Sequence, residues 1–107
     1  MRLGSSLVAI GMLAGATAAS ASQALGHTQA ARPPEKIYAV TCGYCHGTNV
    51  GPIILGRHLP PASILFMTRN GRNAMPAFRP TEISNAELEK LAAWISASAA
   101  NPKEQGK

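Results

Sequence analysis

TCGYCH, at residues 41–46, holds both cysteines of this 107-residue chain and places a histidine directly after the second. A disulfide between Cys42 and Cys45 would close a minimal loop, so it would remove little chain entropy and would stabilise a fold poorly. Two thiols and an imidazole at this spacing instead indicate a binding or redox motif.

Three chemistries use a Cys-x-x-Cys pair: a thioredoxin-like redox centre, half of a zinc site, and covalent haem attachment through Cys-x-x-Cys-His. A redox centre follows a buried strand in a βαβ unit, and this chain has no convincing strand pattern. A zinc site needs about four ligands, and outside the motif only His58 or His27 is available, neither at zinc-finger spacing. Haem attachment uses all three residues of the motif. The sequence therefore predicts one haem c, bound covalently by Cys42 and Cys45.

His46 is expected to provide one axial ligand of the haem iron through Nε2. In an electron-transfer haem the ligand on the other side is chiefly Met or His. The candidates in this chain are Met67, Met75, His58 and, if it survives signal cleavage, His27.

Met75 is the predicted second ligand because of its local sequence. It lies among turn-forming and small residues at 70–78, and Pro76 restrains it to an extended backbone. Met67 follows the apolar residues 64–66, which predict a buried helix with Met67 as core filler. His58 lies in a Gly- and Pro-rich stretch that predicts a surface turn.

The first 26 residues are typical of a secretory signal peptide, with Arg2, an apolar core at 7–13 and small residues thereafter. Cleavage is expected after residue 21 or residue 26. The apolar core is shorter than the roughly 18 to 20 residues that cross a membrane. We therefore expect an exported, periplasmic protein of a Gram-negative bacterium that does not span the membrane.

Composition excludes a nucleic-acid-binding function. The whole chain has a net charge of +5, but its Lys and Arg residues form no run. The sequence places Arg57, Arg69, Arg72 and Arg79 in separate loops, and aromatic residues suitable for stacking are few.

Helical patterns predict an all-α domain over residues 35–98, with three or so helices wrapped around the haem. A flexible lead-in is expected at 27–34, and a first helix at about 35–44, with Ile37 and Val40 facing inward and the motif at its end. Residues 47–56 should be irregular. A second helix should begin at Pro61 and stop at Asn70-Gly71.

The last helix carries the clearest pattern. Residues 84–87 match a capping box, and the apolar residues that follow have helical spacing: Leu88, Leu91, Ala92 and Ile95. Trp94 borders this stripe and should pack against the first helix. Residues 99–107 are expected to form a frayed polar tail.

These motifs together resemble a class I cytochrome c of the small bacterial type, over about residues 33–98. The resemblance rests on CGYCH, on Gly51-Pro52 within GPIILGR, on MPAF and on the capped C-terminal helix. More narrowly, GPIILGRHLPPASILFMTRNGRNAMPAF is similar to the cytochrome c subunits of the flavocytochromes 4-cresol dehydrogenase (p-cresol methylhydroxylase) and eugenol hydroxylase.

The resemblance implies residue roles. Cys42 and Cys45 would carry the haem, His46 and Met75 would be its axial ligands, and the Pro52 carbonyl would accept the Nδ1 proton of His46. No catalytic residue is expected in this chain. The rim at residues 74–78 would be the docking surface, and either Arg57 or Arg72 is a candidate partner for a haem propionate.

The resemblance also implies partners. The chain would accept electrons from the FAD of a flavoprotein subunit that oxidises a para-alkylphenol, and it would pass them to a cupredoxin or another cytochrome. The alternative is a freely diffusing monohaem cytochrome c that serves an oxidase or reductase. A haem sensor or peroxidase with an open iron position is the third class.

Overall fold

The computed structural model describes residues 30–106, together with Gly4. Within residues 30–106 the regular elements are helices: α1 (Pro34–Val40), a 3-10 turn (Cys42–Tyr44), α2 (Pro61–Asn70) and α3 (Asn85–Ala97). This part of the chain has no strand, only isolated bridges between Thr48 and Gln105 and between Arg72 and Met75. The predicted all-α class is confirmed.

The predicted signal peptide lies outside the described residues, apart from Gly4. None of the helices in residues 30–106 has the length and apolar character needed to cross a membrane.

The first helix is shorter than the sequence predicts. It was expected to reach Tyr44, but α1 ends at Val40, and Thr41 leaves helical geometry with φ −130° and ψ −66°. The backbone N–H groups of Cys45 and His46 then both donate to the Cys42 carbonyl, at 3.1 and 2.9 Å. The motif is therefore carried on a separate tight turn, which Gly43 favours because glycine is a poor helix former.

The inward face of α1 was also partly mispredicted. Ile37 is fully buried as expected, but Val40 is 47% exposed, and Tyr38 is buried in its place. Tyr38 can occupy this position because its hydroxyl donates a hydrogen bond of 2.7 Å to Glu104 Oε1 while its ring packs in the core.

The two later helices agree with the predictions. Directly after α2, Gly71 has φ +67°, which favours glycine, and its N–H donates to the Met67 carbonyl at 2.7 Å. The capping box of α3 is complete, because Glu87 N–H donates to Ser84 Oγ at 3.1 Å and Ser84 N–H donates to Glu87 Oε2 at 3.0 Å.

One apolar face of α3 forms the centre of the core. Its buried residues Leu88, Leu91, Ala92 and Ile95 belong to the same cluster as Ile37, Leu55, Ile64 and Ile83. Trp94 packs against α1 as predicted, with its ring 5.5 Å from the ring of Tyr38. Helix α3 contacts both α1 and α2, so it joins the segment that carries the cysteines to the segment that carries the methionines.

Hydrogen bonds hold Arg32 and the C-terminal tail to the rest of the domain, whereas the sequence predicts a flexible lead-in and a frayed tail. Arg32 pairs with Glu87 at 3.0 Å and donates to the Glu82 carbonyl at 2.7 Å. At the other end, Gln105 N–H donates to the Gly47 carbonyl at 3.1 Å. The prediction failed because these partners lie 55 and 58 residues away in the sequence.

Candidate cofactor site

The turn that follows α1 places the three motif side chains along one cleft. Cys42 is partly buried and Cys45 is exposed, and both line the cleft together with His46. The cleft has a volume of about 430 Å³ and also contains Met67, Met75 and Phe78. Folding thus brings the cysteine motif and both candidate methionines to one site.

The His46 ring is oriented by a backbone carbonyl. Its Nδ1 lies 2.7 Å from the Pro52 oxygen, so Nδ1 carries the proton and donates, and the lone pair lies on Nε2. This is the arrangement by which a carbonyl commonly orients a metal-ligating histidine. The bond that the sequence resemblance implies between His46 and Pro52 is therefore present.

Gly51 allows the Pro52 segment to approach this ring. A Cβ at residue 51 would lie 3.3 Å from both Cε1 and Nδ1 of His46. The Gly51 N–H also donates to the Cys45 carbonyl at 2.7 Å. The segment is thus hydrogen-bonded to the motif while it orients the ring.

Met75 lies in a tight turn beyond α2. Arg72 and Met75 exchange backbone hydrogen bonds of 3.0 and 2.9 Å, and the Phe78 N–H donates to the Thr68 carbonyl at 2.8 Å. Gly71 is needed at the start of this turn, since a Cβ there would meet the Met75 carbonyl oxygen and the Ala77 nitrogen at 2.5 and 2.8 Å. The turn places Met75 in the cleft wall.

Met67 also lines the cleft, so its prediction as core filler was wrong. The core-facing residues of α2 are Ile64 and Thr68, four positions apart. Met67 is only partly buried and lies next to that stripe, on the side that borders the cleft. The choice between the two thioethers as iron ligand stays a prediction.

His58 lies in an exposed turn with φ +49°, as the sequence predicts, and is not among the residues that line the cleft. Of the two arginines considered as propionate partners, Arg72 lines the cleft and Arg57 does not.

Sequence reasoning missed the arginine that holds the Met75 segment in place. Arg69 lies in α2 and not in a loop. Its guanidinium donates to the Phe78 and Ile83 carbonyls at 3.1 and 2.9 Å and to Asn85 Oδ1 at 2.7 Å. A basic residue in the last turn of a helix does not by itself indicate which groups it will bind. The three acceptors of Arg69 come together only when the chain folds.

The electrostatics of the motif disfavour the redox-pair alternative. Burial raises the pKa of the Cys42 thiol to about 11, whereas the attacking cysteine of a disulfide oxidoreductase has a lowered pKa. The motif also follows a helix, not a strand. Among residues 30–106, no three His, Cys, Asp or Glu side chains are grouped so as to hold a metal ion, and a zinc-type ligand set is not found there.

The cleft fits a haem by the chemistry of its donors. It offers two thiols at the vinyl-reactive spacing, an imidazole with Nε2 available, and thioethers from Met67 and Met75. Val50, Pro52, Pro76 and Phe78 make much of the remaining lining apolar.

Comparison with known proteins agrees with this geometry. Residues 29–95 match the family model described as cytochrome C oxidase, cbb3-type, subunit III. The chain belongs to this cytochrome c family. Membership implies haem c as the cofactor.

The cytochrome is 40% identical over 73 residues to the 4-cresol dehydrogenase [hydroxylating] cytochrome c subunit of Pseudomonas putida. That alignment covers 64% of this chain and 65% of the relative, so the chain spans just under two thirds of the relative's length. The similarity is to the cytochrome c subunit of that dehydrogenase.

Two solved structures of p-cresol methylhydroxylase contain a similar chain. One has substrate bound and the other was determined at 2.5 Å resolution, and both show 36% identity with a TM-score of 0.59. The matches cover 65% and 64% of this cytochrome and 97% and 96% of the solved chains. The fold predicted from the sequence resemblance is therefore supported over nearly the whole of those chains.

Proposed function

We propose that this cytochrome is the haem subunit of a flavocytochrome of the p-cresol methylhydroxylase type. It would accept electrons from the FAD of a flavoprotein subunit that oxidises a para-alkylphenol, and pass them to a cupredoxin or another cytochrome. The observation that carries the proposal is the single cleft that joins Cys42, Cys45, His46 and Met75, in a chain 40% identical to such a subunit. When bound, haem c supplies an iron that accepts and gives up one electron.

The cysteines would hold one haem covalently, each through a thioether formed from its thiol. The tight turn supports this role because the Cys42 carbonyl accepts two backbone hydrogen bonds, which hold Cys45 and His46 next to it. Cys42 also packs against the core cluster, so the attachment point would be anchored to the rigid part of the domain.

His46 and Met75 would be the axial ligands. The bond from His46 Nδ1 to Pro52 directs the lone pair of Nε2 away from the protein backbone and towards a metal. A methionine thioether that holds the iron together with histidine would raise its potential. With both axial positions filled by protein, these residues would exclude O₂ and peroxide from the metal and favour electron transfer over catalysis.

The flavoprotein subunit would dock at the rim of the cleft formed by residues 74–78. Ala74, Pro76 and Ala77 are exposed there, and Ala74 and Pro76 also line the cleft. A surface of small apolar groups lets a partner approach the site closely with little desolvation of charge.

We place the cytochrome domain at residues 35–98 and the cleaved signal peptide at residues 1–26, with the mature protein in the periplasm. Mass analysis of the exported protein tests export and attachment together. The expected product begins at residue 22 or 27 and keeps its haem after denaturation. A bare polypeptide from a host with working cytochrome c maturation would refute the attachment.

The ligand assignment is tested by two volume-conserving variants, Met75→Leu and Met67→Leu. Met75→Leu should abolish the charge-transfer absorption between methionine and oxidised iron and lower the potential, whereas Met67→Leu should keep that absorption. The reverse result would assign the ligand to Met67. Binding of CO or cyanide at low concentration by the unmodified protein, without displacement of a methionine, would favour a sensor or peroxidase, and a methionine-to-iron absorption in the oxidised protein would exclude them.

The partner is tested by isolating the cytochrome from its native host under gentle conditions. Co-purification with a larger flavin-containing chain, and reduction of the haem on addition of a para-alkylphenol, are the expected results. A cytochrome that elutes alone, and that is reduced by another donor, would favour the freely diffusing alternative.

A further inference from the structure

The C-terminal tail returns to the loop that follows the cysteine motif. Gln105 N–H donates to the Gly47 carbonyl at 3.1 Å, and the Asn49 N–H donates to the Gln105 carbonyl at 2.8 Å. The Asn49 side-chain amide adds a bond of 3.0 Å to Gln105 Oε1. Residues 48 and 105 are thereby paired in a short parallel bridge. The tail lies beyond residues 29–95, the part that matches the family model.

Glu104 reaches deeper towards the motif than Gln105 does. Its Oε1 accepts a hydrogen bond of 2.7 Å from the Tyr38 hydroxyl, whose oxygen also lies 3.1 Å from the His46 carbonyl. The carboxylate packs against Gly47, where an added Cβ would lie 3.1 Å from both Cγ and Cδ of Glu104.

The loop from His46 to Pro52 contains no helix and depends on such contacts. Within this loop, the His46 ring is held by the hydrogen bond of 2.7 Å from its Nδ1 to the Pro52 carbonyl. The tail holds the backbone of this loop through Gln105, which is hydrogen-bonded to Gly47 and Asn49. Loss of either restraint would let the imidazole tilt, because a side chain can be oriented no better than the backbone that carries it.

We propose that residues 101–106 form a clamp that sets the position of His46, and that Glu104 is a positioning residue for this ligand. The proposal rests on the proposed function, in which His46 binds the haem iron. Glu104 acts at a distance from the metal. Its side chain accepts the Tyr38 hydrogen bond and packs against Gly47, and through the Gly47 contact it restrains the backbone next to His46.

The test compares Glu104→Ala, Glu104→Gln and a chain that stops after Ala100, each as the haem-bound protein. Glu89→Ala is the matched control, since Glu89 is an exposed glutamate on α3. Two quantities are measured: the NMR signals of the His46 ring in the oxidised protein, and hydrogen exchange at the amides of Asn49 and Gly51.

Glu104→Ala and the truncation should shift the His46 ring signals and speed exchange at Asn49 and Gly51 at least about tenfold, as expected when restraints on a loop are removed. Glu104→Gln should restore much of the wild-type behaviour, because its amide oxygen can still accept from Tyr38. Glu89→Ala should change neither quantity. If the truncated chain does not fold, the two Glu104 variants alone test the proposal.

Unchanged His46 ring signals in Glu104→Ala would overturn the proposal, even if hydrogen exchange became faster. The tail would then stabilise the loop without setting the position of His46. Failure of the proposed function gives a different result. A wild-type protein without haem would refute His46 as an iron ligand, while the exchange rates at Asn49 would still show whether Glu104 and the tail restrain the loop.

Discussion

The ion pair between Arg32 and Glu87 should make the stability of this cytochrome depend on acid pH. Glu87 is 8% exposed and accepts hydrogen bonds from the Arg32 side chain at 3.0 and 3.1 Å, from the Arg32 N–H at 3.0 Å and from the Ser84 N–H at 3.0 Å. The Arg32 side-chain bonds, followed by the backbone bonds, lower the pKa of Glu87 from 4.5 to about 2.

The size of the effect follows from this pKa. Each pKa unit corresponds to 1.36 kcal/mol, so a fall from 4.5 to about 2 sets an upper limit of about 3.4 kcal/mol. The Arg32 side chain is 33% exposed, and solvent screening reduces the free energy of such a pair to roughly 1 to 2 kcal/mol. Because the folded state lowers the pKa, this stability is complete above pH 4.5 and is lost as the pH falls towards 2.

Denaturant unfolding at pH values from 7 to 2 measures this contribution in the wild type, in Arg32→Gln and in the control Glu89→Gln. Arg32→Gln should be less stable by about 1 to 2 kcal/mol at pH 7, and the difference should shrink towards zero near pH 2. Glu89→Gln should follow the wild-type profile. A loss in Arg32→Gln that is equal at both ends of the pH range would refute the reasoning, because the stabilisation would then not come from ionised Glu87.

Three substitutions test the packing around the site. Gly71→Ala should lower the melting temperature and weaken the absorption between methionine and oxidised iron, since the backbone at φ +67° and ψ 174° costs an alanine about 1 to 3 kcal/mol and its Cβ would meet the Met75 carbonyl at 2.5 Å; an unchanged melting curve and spectrum would contradict this. Gly51→Ala should shift the NMR signals of the His46 ring, because the new methyl would lie 3.3 Å from two ring atoms; unshifted signals would show that the ring is held differently. Leu91→Ala should cost about 2 to 5 kcal/mol in urea unfolding because Leu91 is 1% exposed; a smaller loss than in Leu65→Ala, at a half-buried position, would place the core elsewhere.

Features that depend on near neighbours were predictable from the sequence. The capping box joins residues three apart, and the apolar stripe of α3 repeats within two turns, so both follow from helix geometry alone. Pro61 and Gly71 mark the two ends of α2 for the same reason. The prediction failed at Thr41, where the chain leaves the helix although no proline is present in the motif.

The donor residues of the candidate site were predictable, as was the Pro52 carbonyl that orients His46, but the supports from distant parts of the chain were not. The spacing of Cys42, Cys45 and His46 identifies the chemistry because haem attachment requires those residue types at those positions. The face that Met67 presents could not be read from residues 64–67, because an apolar run does not show which of its members faces the core and which faces a cleft.

The sequence by itself determined the helical class, the cysteine motif, both ends of α2, the start of α3 and the choice of haem as cofactor. Only the tertiary structure decided that Arg69 binds the segment that follows Met75, that Arg32 pairs with Glu87 at the start of α3 and that Tyr38 donates to Glu104. The physical reason is distance along the chain. A helix or a binding motif is specified by residues a few positions apart, whereas Tyr38 and Glu104 are separated by 66 positions and meet only when the core has packed.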